Sequence, residues 1–125
     1  MPGIDIKIEG LDRLRTKWNA MPAKIKKMTM DALMKSGYQV ERESKKETPV
    51  DTGRLRSSIS VASSLALRAE PHVIISPHTN YAIYVHDGTR RMKARPFMTK
   101  GYESSRSKIK ANMRQLLRDI TKEMK

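Results

Sequence analysis

The chain has 125 residues, no cysteine, and a formal net charge of +13 from 26 Lys and Arg against 13 Asp and Glu. That length suits one domain with a modest core that needs no disulfide staples. The absence of cysteine excludes a disulfide framework, a thiolate metal site and a Cys nucleophile. Asp5, Lys7, Glu9 and Asp12 interrupt the first residues, and no run approaches the roughly 18 apolar residues of a membrane span. Neither a signal peptide nor a membrane contact is expected, and the chain should be soluble and cytosolic at synthesis. The positive excess is spread along the chain, +4 over residues 1–47, +4 over 48–95 and +5 over 96–125. It favours a polyanion or an acidic protein surface as partner over an incidentally basic exterior.

In chain order, Ile4, Ile6 and Ile8 alternate with charged residues and predict a short strand ended by Gly10. Leu11, Leu14 and Trp18 predict a short helix over 11–18, broken at Met21-Pro22. Pro22 suits a helix start, because its missing N–H costs nothing there. From Ala23 to about Lys46 the composition is helix-forming, with Ile25, Met28, Ala32, Leu33, Gly37 and Val40 on a broad face. Glu41 and Lys45 form an i, i+4 pair in the favourable order. Thr48-Pro49 stops this helix, and Asp51-Thr52-Gly53 makes a corner. From Arg54 the odd positions Leu55, Ser57, Ile59 and Val61 alternate with Arg54, Arg56, Ser58 and Ser60, predicting a strand. Further strands are predicted at His72–Ser76 and Tyr81–His86, the latter bounded by Asp87-Gly88, giving an antiparallel meander. Thr89–Pro96 has no period and predicts a loop carrying Arg90, Arg91, Lys93 and Arg95.

The last helix is predicted from a seam of Met98, Tyr102, Ser105, Ile109, Met113, Leu116, Ile120 and Met124, with Arg106, Lys110, Arg114 and Arg118 away from it. This helix has the sheet or a neighbouring subunit as its candidate partners. Most of the nine methionines read as core filling at expected packing positions. The expected fold class is α+β: a small antiparallel sheet, made of a meander plus the N-terminal strand, packed on a long helix, with a second long helix at the C-terminus. Residues 1–125 form one domain in this reading.

Chemistry is sparse. His72, His78 and His86 have no metal-ligand spacing, and no nucleophile elbow, P-loop or dinucleotide fingerprint occurs. No catalytic residue, cofactor or metal is therefore expected. A single Phe and four Tyr offer little base stacking. Dispersed Lys and Arg without a base-reading device fit sequence-neutral phosphate contact or an acidic protein partner.

Two stretches remain, PVDTGRLRSSI (49–59) and NYAIYVHDGTRRMKARPFM (80–98). Their order, between two long helices, resembles the neck or tail-completion proteins of lambda-like siphophages, also called head–tail joining proteins or minor tail components. The family pattern is a P-x-D-T-G corner, a Y-A-x-x-V-E-x-G-T strand end and an A-R-P-F helix start. This chain departs from it at His86, where the family often has Glu, and Asp87 stands beside that position. The resemblance implies a non-enzymatic virion protein at the head–tail junction. Such a protein forms a ring, hexameric on assembly and monomeric when free, against the head connector and the tail tube or terminator proteins. It implies that Pro49, Asp51, Thr52, Gly53 and Leu55 set the corner leading from helix to sheet. Gly88 would allow the next turn, and Arg95, Pro96 and Phe97 would fix the last helix. Arg90, Arg91, Lys93 and Arg95 are candidates for contact with passing genomic DNA, without reading its sequence, or with an acidic neighbouring ring.

Three other readings stay open: a tail terminator, a small nucleic-acid-binding protein acting by charge alone, and an RNA-cleaving toxin. The last would draw on Arg56, Tyr84, His86 and Arg91 as acid–base groups.

Overall fold

The computed structural model describes residues 6–9, 21–49, 53–63 and 72–123. Its spine is helix α1 (Ala23–Glu47), one residue longer than its composition predicts. Pro22, at φ −58°, leads into it, and the Lys26 N–H bonds back to the Pro22 carbonyl at 3.1 Å. Thr48 ends it in extended backbone ahead of Pro49, and its hydroxyl donates to the Ser44 carbonyl at 2.6 Å. The expected Glu41–Lys45 pair is present at 3.3 Å.

One side of α1 carries a three-stranded antiparallel sheet in the order β1-β3-β2, made of β1 (Ile6–Glu9), β2 (Ser60–Ser63) and β3 (His72–Ser76). The central strand pairs Ile75 with Ile6 on one edge and with Val61 on the other. Gly37 faces this sheet: a Cβ there would stand 2.9 Å from a Val61 methyl and 3.3 Å from one of Val73. Leu33, Val40, Leu55, Ile59, Val73, Ile75, Phe97 and Met98 are among the side chains that close the core between them.

The last helix, α4 (Phe97–Glu123), runs antiparallel along α1. Contacts at successive levels show the register. Lys24 pairs with Glu123 at 2.8 Å, Asn112 donates to the Ser36 hydroxyl at 3.2 Å, and Ser105 donates to the Gln39 carbonyl at 3.4 Å. At the far end Gly101 meets Ser44 so closely that a Cβ on Gly101 would lie 2.6 Å from the Ser44 backbone nitrogen. A second apolar cluster of Ile25, Leu116 and Ile120 closes the opposite end. The sheet and α4 both pack on α1, and Phe97 and Met98 at the start of α4 join the core that α1 forms with the sheet. Most of α4 packs along α1, and of the two partners expected for it the sheet is met only through the shared core at its start.

The α+β class holds, and two elements differ from their prediction. The strand expected from Arg54 begins instead with a one-turn helix, α2 (Arg54–Ser58), entered from Gly53 at φ +79°. Leu55 and Ile59, four apart, are both buried, while Ser57 is exposed and its hydroxyl donates to the Arg54 carbonyl at 3.1 Å. Spacings of two and of four coincide in so short a stretch, and the serine back-bonds favour the helical turn. The strand expected at Tyr81–His86 is helix α3 (Ala82–Asp87). Ala82 and His86, also four apart, face the core, so Asp87 is turned about a helix step away from His86 and does not cross a sheet. The meander's third strand is therefore absent, and β1 pairs directly with β3. The short helix expected at 11–18, Asp51 and Thr52 lie outside the described residues.

Candidate functional site

The corner at the end of α1 and the basic loop after α3 meet in one groove of about 860 Å³. Pro49, Gly53, Arg54 and Leu55 form one wall, from the first motif. Tyr81, the N-cap of α3, and Val85, one turn further on, form the floor, and Arg91, Met92, Lys93 and Arg95 the other wall. The alternation of apolar floor and cationic rim follows from the two elements. The helical spacing of Tyr81 and Val85 puts both on one side of α3, while the loop adds charge around Met92.

The loop is closed by its own backbone. The Thr89 and Met92 N–H groups each bond to the other's carbonyl, at 2.8 and 3.3 Å, and the Arg95 N–H bonds to the Val85 carbonyl at 3.0 Å. Gly88 makes this return possible. Its φ is +81°, its N–H bonds to the Tyr84 carbonyl at 2.8 Å, and a Cβ on it would stand 2.7 Å from the Ala94 nitrogen. Beyond the loop Pro96 is half-buried and Phe97 fully buried. Phe97 packs edge-on against His86, with ring centroids 5.4 Å apart.

Among the described residues the groove is lined by four cations, Arg54, Arg91, Lys93 and Arg95, and by no carboxylate. Asp87, the nearest acid in sequence to the loop, is engaged by His86 Nδ1 at 2.8 Å. Such a surface can receive an apolar side chain flanked by negative charge. Of the residues singled out in the sequence, Pro49, Gly53, Leu55, Arg91, Lys93 and Arg95 come together here. Arg90 is exposed on the loop but does not line the groove, and Gly88 and Phe97 lie behind it. Arg54, Tyr81, Val85 and Met92 were not singled out. The i, i+4 spacing of Tyr81 and Val85 is the available signal, and the strand expected at Tyr81–His86 leaves it unused.

The toxin constellation is not assembled. Arg56 lies in a separate shallow depression with Glu41, Arg42, Lys45 and Lys46, whereas Arg91 lines the groove. His86 is buried, with Nδ1 on Asp87 and Nε2 on the Thr99 hydroxyl at 3.4 Å. Among the described residues no group of His, Asp and Glu could hold a metal ion, and no helix is long and apolar enough to cross a membrane.

Residues 12–88 match the model of the HK97-gp10_like family, described as "Bacteriophage HK97-gp10, putative tail-component". The chain belongs to this family. The match takes in the whole first motif and the second as far as Gly88, so the basic loop and α4 lie beyond it. No curated protein and no solved structure matches the chain. Membership of the HK97-gp10-like family makes this a phage structural protein of the tail-component kind, without catalysis.

Proposed function

We propose that the protein is a neck or tail-completion subunit. It forms a ring at the head–tail junction of the virion and joins the tail to the head connector. What supports this most is the convergence of the two motif stretches, distant in sequence, on one basic groove with an apolar floor. A junction subunit has to present a fixed receptor to a protein of different chemistry above or below it. The groove fits an acidic segment carrying a bulky apolar side chain, supplied by the connector or by a tail tube or terminator protein. Arg91, Lys93 and Arg95 would meet its carboxylates and Leu55, Val85 and Met92 its apolar group, with Arg90 at the outer edge. Desolvation in the groove would make those charges matter more than on open surface.

Within the ring, subunits would pack head to tail, a heterologous interface closed by rotation. Tyr38 on α1 and Tyr84 on α3 are more than half exposed and stand on different elements, as two unlike halves of such an interface require. A free subunit with a charge of +13 repels its copies, which favours assembly only on a partner surface. The test is deletion of the gene from its phage, followed by negative-stain electron microscopy of the lysate. Filled heads beside unattached tails are expected; normal infectious particles would refute the reading, and tails of irregular length would move it to termination.

A further inference from the structure

The outer side of α4 carries a charge pattern that the groove leaves unused. Arg106, Lys110, Arg114, Arg118 and Lys122 follow at intervals of four, and all are exposed. On a helix this spacing makes a ridge of adjacent side chains that steps about 6 Å along the axis and turns about 40° each time, extending about 24 Å with Arg106 and Lys122 flanking the face that Lys110, Arg114 and Arg118 occupy. Arg106 pairs with Glu103 at 3.6 Å, whereas the other four make no ion pair with described residues. The helix's remaining described carboxylates are occupied elsewhere: Glu123 holds Lys24 at 2.8 Å and Asp119 accepts the Gln115 amide at 3.0 Å.

We propose that this ridge follows the phosphate backbone of duplex DNA without reading its sequence. A strand presents one phosphate per 3.4 Å or so of rise, so about 24 Å of ridge spans roughly seven base pairs. Beside the cations lie the small exposed side chains of Ser107 and Ala111, which let a backbone approach closely. No aromatic or amide side chain stands in the row to stack on or bond to a base. Leu117, 47% exposed beside Arg114 and Arg118, is the single large apolar side chain exposed on α4 among the described residues, against five cations in the row. A second copy of this strongly basic chain would be repelled. The inference needs only α4 and its charges, so it stands or falls independently of the head–tail assignment.

The test is a titration of the full chain against a labelled duplex of about 20 base pairs at several salt concentrations. Five phosphate contacts predict that log K falls against log salt with a slope of about −4.5. The triple variant Lys110→Gln, Arg114→Gln, Arg118→Gln should lower that slope to about −1.8, with helicity kept because Gln is a good helix former. A duplex of unrelated sequence should bind equally. The variant Lys27→Gln, Lys35→Gln, Arg42→Gln, on exposed positions of α1, should keep the original slope. An equal loss in both variants would show diffuse charge and overturn the proposal. So would absence of binding at low salt. Polyglutamate binding as tight as DNA, with the same dependence on the ridge, would reassign it to an acidic protein.

Discussion

Two glycines adopt positive φ for different reasons, and their substitution separates those reasons. At Gly53 an added Cβ would meet nothing within 4 Å among the described residues, so Gly53→Ala is expected to carry mainly the backbone strain, about 1–2 kcal/mol. At Gly88 the same strain combines with a clash against backbone at Ala94, which cannot rotate away. Gly88→Ala is therefore expected to destabilise by clearly more than Gly53→Ala, and to loosen the 88–95 loop. Urea unfolding of both variants, with amide exchange at Thr89, Met92 and Arg95, checks this. Equal losses with the three amides still protected would show that the loop does not rest on Gly88. The positive φ at Gly53 and Gly88 was legible in the sequence, because a glycine after Asp-Thr or Asp is a chemically specific turn signal. The walls they bring together were not.

Among the elements, the long helices were legible because their apolar periods run over many turns, while the short ones were misread. Leu55 and Ile59, or Ala82 and His86, fit a two-residue and a four-residue period equally well within a six-residue stretch. What decides is tertiary: both pairs face the core across a single helical turn. Sequence also missed the polar face between α1 and α4, where Thr29, Ser36, Ser44 and Ser105 are fully buried. Small residues there let the two helices approach closely, a requirement that no hydrophobic period encodes. The tightest point is Gly101 against Ser44. Gly101→Ala would force the α1 and α4 backbones apart, a cost of about 1–3 kcal/mol or more. Thermal unfolding tests it, and an unchanged midpoint would mean the helices are not locked at that level.

At the scale of the whole molecule, charge and shape divide the labour. The sheet and α1 hold the corner and the basic loop in one groove, and α4 turns a separate row of cations outward. The candidate site was half legible: its two motifs stood out, but their meeting depends on α3 being a helix that brings Tyr81 and Val85 beneath the loop. The central claim is that this groove is the docking seat of a head–tail junction subunit. It is tested most directly by complementing the gene deletion with the double variant Arg91→Glu, Lys93→Glu, both residues being exposed. Wild-type melting of the purified variant, together with filled heads and separate tails in its lysate, is the predicted result. A wild-type plaque titre from the same variant would contradict the account.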